Sequence, residues 1–369
     1  MTILRQDIPA ILTTGVFELR RAWKSYSTIQ KKLFNLFKQL EPNAEEIYGS
    51  DPNKLPEFKI DNDSNEATEE ASHEITIETS ATSSEEGLDL ETIKILLASV
   101  SYGYGIVQLC FSFLPPNILK LMKFIGFEGD RCSAIKALYF TAQSKDVRSS
   151  FADITLLFYS LFCRQLFGYS ECEMQLNERE INIVLEKNLA ESPNSCLFLL
   201  QSAKYWQLLK KDLGKMMEFL EKAQESASRI PEMKCITWYE MALVHLLNCN
   251  YEAGLVAFTE FAKTSKWSLS YNALIIAILN GCLGRFDVAN QGIKAGSKIS
   301  SPKNPIEFYA QKRIEYLKKN PIKTKLTCEF FCVEMLFLWV NLPYGTEENL
   351  KKMLDGKLLV YRFSGFKKK

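Results

Sequence analysis

The feature that most constrains this chain is a pattern that returns to itself between Pro193 and Ser297. A compact residue is followed four positions later by an aromatic or aliphatic one, and three positions after that by another compact residue. The three occurrences are Met216, Leu220, Ala223; Gly254, Phe258, Phe261; and Ala289, Ile293, Gly296, with Met216 and Phe261 departing from the preferred small side chain. Their first members stand 38 and 35 residues apart. Steps of four and three stay on one face of an α-helix, and a unit of this length holds two helices with their turns. Small side chains let paired helices approach, while large ones fill the gap to the next unit. A lone hairpin leaves its apolar face in water, so such units bury a core only by stacking.

The period is close to that of a tetratricopeptide helical hairpin, nominally about 34 residues. The second helix of a unit opens at Cys249-Asn250-Tyr251-Glu252-Ala253-Gly254 and again at Gly284-Arg285-Phe286-Asp287-Val288-Ala289. With Trp238 at the large position of the first helix, the groove-facing candidates are Phe198, Tyr205, Tyr239, Leu243, Tyr271 and Ile278, accompanied by Gln201, Ile236 and Leu274. A groove that grips charged peptide tails needs Lys, Arg and Asn there. This one is apolar, so the favoured occupant is helix from elsewhere in the same chain. An apolar partner helix or a lipid is the alternative.

The remainder reads as all-α, because from about Gly87 onward the apolar residues follow helical periods and strand-type alternation is hard to find. Residues 1–40 carry an amphipathic helix with Val16, Leu19, Trp23, Tyr26, Ile29, Leu33, Leu36, Phe37 and Leu40 at helical intervals, beside Arg20, Arg21, Lys24, Lys31 and Lys32. Residues 41–87 hold 14 Asp and Glu against two Lys, a net −12 in a chain whose total is +1. With so few apolar side chains to repay ordering, this stretch is expected to be a disordered acidic linker. A helical region follows at 88–190, broken by Leu114-Pro115-Pro116-Asn117, with a helix pair at about 131–143 and 148–168. Three repeats are expected at 191–300 and C-terminal helices at 301–369. The uncharged run Ile95–Leu114 is long enough for a bilayer, but its serines, tyrosines and glycines favour a buried helix, broken or bent near Gly103 and Gly105.

Composition narrows function by exclusion. A balance of 45 Lys and Arg against 44 Asp and Glu recommends no nucleic acid partner. Two histidines leave little for imidazole catalysis or catalytic zinc. The ten cysteines form no C-x-x-C and sit mostly in apolar runs, which suits reduced, buried thiols. An N-terminus without a secretory h-region fits a cytoplasmic setting. Ser133-Ala134-Ile135-Lys136 matches S-x-x-K without its companion motifs, and no phosphate-cradling glycine loop occurs. Gly126 and Gly129 read as helix-end turns rather than an anion site, and His245 as a packed core histidine. No catalytic, cofactor-binding or metal residue is nominated, and the oligomeric state stays open.

Phe113-Leu114-Pro115-Pro116-Asn117-Ile118-Leu119-Lys120-Leu121, followed by Phe124-Ile125-Gly126-Phe127-Glu128-Gly129-Asp130-Arg131, resembles the tetratricopeptide repeat protein 39 family. A second similarity lies at Cys235-Ile236-Thr237-Trp238-Tyr239-Glu240-Met241 and Thr264-Ser265-Lys266-Trp267-Ser268. The family includes fungal proteins associated with mitochondria, lipid droplets and clearance of protein inclusions. The resemblance covers about 90–340 and implies a non-enzymatic repeat scaffold or adaptor, tied in some members to lipid homeostasis and in others to cilia. It further implies a cytoplasmic site at an organelle surface such as the mitochondrial outer membrane. Family members are usually longer at both ends, so the last helix here is expected to expose apolar surface.

Overall fold

The computed structural model describes residues 8–49, 89–163, 175–265, 268–297, 305–339 and 341–354. Every regular element among them is helical, and the chain divides into two compact units, Met1–Glu180 and Ile181–Lys369.

The first unit is built around α3 (Leu90–Ser112), which packs against α1 (Ile8–Leu40) and α5 (Arg131–Ala142). Asp89 caps α3 by accepting from the Thr92 amide, satisfying a donor that the first turn otherwise leaves unpaired. The helix runs unbroken through Gly103 and Gly105. The two glycines instead mark close approaches. A Cβ on Gly105 would lie 2.7 Å from Leu138 Cγ on α5, and one on Gly103 would run into the Tyr26 hydroxyl of α1. Among the described residues α3 is the helix long and apolar enough to cross a bilayer, yet here Ile93, Leu97, Ala98 and Leu109 are buried in the unit.

On α1 the buried seam is Trp23, Gln30 and Phe37, one every second turn, while Ile29, Leu36 and Leu40 remain 41–48% exposed. The sequence reading missed Gln30. Its amide donates to the Tyr48 hydroxyl at 2.8 Å, which satisfies the polar group it buries. Val16 and Leu19 carry no described side-chain environment.

Helical structure extends into the first part of the acidic stretch. Residues 41–49 are folded, with α2 (Ala44–Tyr48) inserting Ala44 and Tyr48 beside Phe34 and Phe140. Glu45 and Glu46 sit in its first turn, where carboxylates suit a helix N-terminus, and Lys136 Nζ donates to Gly49 O at 2.7 Å. Residues 50–88 lie outside the described residues. Next, α4 (Pro116–Ile125) starts on Pro116 and ends at Gly126, whose φ of +104° and amide bond to Lys123 O make it a left-handed cap. Its carbonyl accepts from the Trp23 indole, and Arg131 reaches back to Ser112, so this turn is a structural joint. After α5, α6 (Ser149–Phe158) runs on as a π-helix at Tyr159–Cys163, and the remainder of the expected helix, 164–168, lies outside the described residues.

In the second unit α7 (Glu178–Glu191) leads in, with Leu189 on the cluster Cys196, Leu199, Ala223 and Ala227. The division at 180/181 therefore precedes the expected boundary at 190/191. Three hairpins follow: α8 (Cys196–Leu208) with α9 (Leu213–Ser226), α10 (Pro231–Leu247) with α11 (Tyr251–Thr264), and α12 (Leu269–Cys282) with α13 (Phe286–Gly296). All nine marker residues are buried. Each hairpin turns on one left-handed residue, Lys211 (φ 55°), Cys249 (φ 54°) and Gly284 (φ 80°), spaced as the markers are.

Candidate functional site

Two further helices decide what becomes of the groove. The stack continues into α14 (Pro305–Lys319), which packs on α12 and α13 and buries Ala310, Ile314 and Leu317. The next helix, α15 (Lys325–Leu338), has α12 and α10 as its main helical neighbours, so it lies along the groove-lining first helices of the second and third repeats. A short 3-10 turn at Leu342–Tyr344 and α16 (Glu347–Leu354) complete this strand of chain, with Met353 in the same core.

The six candidate groove residues separate into two sets. Tyr239, Leu243, Tyr271 and Ile278 share one apolar cluster with Cys328, Phe331, Cys332, Met335 and Leu336 of α15. Phe198 and Tyr205 are also buried, at 4% and 5% exposure, but lie outside that cluster. Tyr205 packs edge-on against Trp206 with Lys210 over its ring. Tyr239 turns its ring toward α11, against Phe258 and Phe261. Over the second and third repeats the helices that carry the candidate groove residues are thus covered by a helix of the same chain.

Polar contacts fix the register of this packing. Trp339 Nε1 donates to the Tyr271 hydroxyl at 2.6 Å, with the rings edge-on at 5.9 Å, and the Tyr271 and Tyr239 hydroxyls are bonded in turn. Burial raises both phenols above their ordinary pKa, so they remain neutral donors. At the first repeat, Gln207 Nε2 donates to Asn341 Oδ1 at 2.9 Å, both side chains being buried. Nearby, Lys204 pairs with Glu240 at 2.5 Å. An unpaired amide there would be left without water or partner.

Close approach is what lets α15 in. A Cβ on Gly281 would collide with Cys328 Sγ and stand 3.3 Å from both Cys328 Cβ and Ile322 Cγ2. Cys282 Sγ and Cys332 Sγ are 3.6 Å apart across the same seam. Gly281 was absent from the sequence-derived set although a signal existed. It follows Tyr271, Leu274 and Ile278 at helical spacing, and a glycine inside a helix on a lining face marks another backbone nearby. From α14, Glu307 reaches the start of α12, accepting the Ser270 amide at 3.1 Å and the Ser268 hydroxyl. Burial alone would raise its pKa, but these bonds outweigh it and hold the carboxyl below its ordinary range.

The other polar groups singled out in the sequence make the following contacts where they are described. Ser133 donates to Asp130 at 2.5 Å and Lys136 to Gly49 O, so serine and lysine are each engaged elsewhere. Both border a cavity of about 330 Å³ with Gln30, Phe34, Glu45, Tyr48 and Tyr104. His245 is half-buried on α10, and burial lowers its pKa against a weaker opposing effect of Glu221. Of the thiols, Cys110 is exposed rather than buried, and Cys132 and Cys249 are partly so. Among the described residues no trio of His, Cys, Asp or Glu is disposed to hold a metal.

No solved structure matches the chain. The sequence model of Iml2/Tetratricopeptide repeat protein 39 matches residues 1–360, well beyond the 90–340 span of the motif resemblance. That match and the stacked helical hairpins agree on a helical repeat scaffold, of a type that is generally non-catalytic. The chain belongs to the Iml2/Tetratricopeptide repeat protein 39 family.

Proposed function

We propose that the protein is a non-enzymatic scaffold or adaptor that engages a protein partner, serving lipid homeostasis or organelle-linked quality control from the cytoplasmic side of an organelle surface. The observation that carries this reading is the continuous core shared by three hairpins, α14 and α15. Stacked hairpins of this kind offer the outer faces of their helices to a partner. With α15 along the second and third repeats, docking is assigned to faces outside that stretch. Affinity capture of the full chain from its native cells tests the proposal, run beside an Ala289→Asp variant that dismantles the stack. A partner lost with the stack supports it. A partner set indifferent to the stack contradicts it.

One observation favours a second reading, a peripheral membrane factor. Ile29, Leu36 and Leu40 stand exposed along one side of α1, with Lys32 and, earlier on the helix, Arg21 on its edge, an apolar stripe with a basic border. Flotation with anionic vesicles separates the two readings. Recovery that disappears in Ile29→Glu/Leu36→Glu supports the membrane reading, and no recovery from the parent overturns it.

A further inference from the structure

The seam between α12 and α15 brings thiols from the two helices into direct contact. Cys282 Sγ, at the end of α12, stands 3.6 Å from Cys332 Sγ on α15, and the two residues are 4% and 3% exposed. Gly281 sets this spacing. A Cβ on it would lie 3.3 Å from Cys328 Cβ, so the backbones here are as close as those of bridged residues, whose Cβ atoms stand roughly 3.5–4.5 Å apart. Closing the sulfurs to a bond of about 2.05 Å then asks for a shift of about 1.5 Å, which side-chain rotation supplies. Cys328, one turn earlier on α15, has its sulfur over Gly281 instead.

We propose that Cys282 and Cys332 are a reversible dithiol–disulfide pair that locks α15 over the repeats when the protein meets a peroxide. The sulfur of either residue attacks the O–O bond of hydrogen peroxide and becomes a sulfenic acid, with one water released. The other sulfur then displaces the hydroxyl, forming the S–S bond and releasing a second water. Both thiol protons leave in the two waters, so two thiols and one peroxide give one disulfide. With α15 seated, both sulfurs are shielded from solvent. The first step therefore draws on transiently open molecules, and the second is completed as the seam closes.

The bond ties positions 50 residues apart, and closing so long a loop favours the packed form chiefly by restricting the open one. In the reduced chain the cover over Tyr239, Leu243, Tyr271 and Ile278 is held by packing and by the Trp339–Tyr271 and Gln207–Asn341 hydrogen bonds. In the oxidised chain it is held covalently as well.

The test treats the reduced full-length chain with hydrogen peroxide, in buffer and in sub-denaturing urea, and maps disulfides after cleavage at glutamate. A cut after Glu329 parts Cys328 from Cys332. The expected product is a Cys282–Cys332 link in the monomer, formed faster in urea, abolished in Cys282→Ser and Cys332→Ser, and retained in Cys328→Ser. Oxidation is expected to slow amide exchange of Cys328–Leu336 and Leu274–Cys282 by about tenfold or more, and dithiothreitol to restore the original rates. Protection of Leu274–Cys282 in the reduced variants reports an intact stack. Thiols at 282 and 332 that stay free under both conditions, or bridges made instead to Cys328 or to a second copy, overturn the proposal. So does a Cys282–Cys332 bond that leaves exchange unchanged.

Discussion

Gly281 on α12 and Cys328 on α15 touch so closely that the absent side chain of one makes room for the sulfur of the other. Gly281→Ala therefore wedges α15 outward. The helix-propensity gain of alanine, about 1 kcal/mol, opposes an overpacking cost of about 1–3 kcal/mol. A net loss is expected in denaturant unfolding. Adding Cys328→Ala should recover part of that loss, because the two sites are coupled through the same space. Single and double variants with strictly additive effects would place the two residues apart.

The left-handed turn residues give a prediction of opposite sign. Lys211 and Cys249 adopt φ near +55°, the conformation Gly284 supplies in the third repeat. An L side chain there costs about 1–2 kcal/mol. Cys249→Gly should raise the unfolding midpoint of the second unit, offset in part by the greater unfolded-state freedom of glycine. Gly284→Ala should lower it. Equal midpoints in all three proteins would remove the turn equivalence.

Ala289 tests the stack itself. It is fully buried on α13, and Ala289→Asp places an unpaired carboxylate among apolar side chains, at an expected cost of several kcal/mol. A variant that melts with the parent would put residue 289 on the surface.

Acid sensitivity should come in two windows. The pKa of His245 is lowered from 6.5 by burial, so the folded form holds the neutral imidazole. As pH falls below 6.5 the unfolded chain gains a proton the folded chain resists, and stability declines. His245→Gln should lack this decline, which the parent-minus-variant stability difference isolates as pH falls through 6.5. Glu307 is held below its ordinary 4.5, so its contribution is present above that value and is lost as pH falls through the folded one. Glu307→Gln should flatten the lower window only. Identical pH curves for parent and variants would contradict both assignments.

The helical hairpins were legible because burial of Leu220, Phe258 and Ile293 recurs with the chain's own period, a signal that survives imperfect residues such as Met216. The inward face of the groove was legible for the same reason. What covers it was less so. The turn of α15 toward α10 and α12 depends on Gly281, Trp339 and the Gln207–Asn341 pair, whose partners lie 47, 68 and 134 residues away. Local periodicity carries no record of contacts that distant. The close approaches at Gly103 and Gly105 were not foreseen, because a glycine reads alike in sequence whether it frees the backbone or admits a neighbour. Likewise Ala44 and Tyr48 were hidden by the charge of the residues around them.

Native-state hydrogen exchange on the full-length chain bears most directly on the idea that the repeats and α15 form one body. Amides of Cys328–Leu336 should exchange with the same opening free energy as those of Leu274–Cys282, near the global value. If residues 328–336 exchange as a fraying end while α12 stays protected, the groove is open and the account of a self-filled scaffold is wrong.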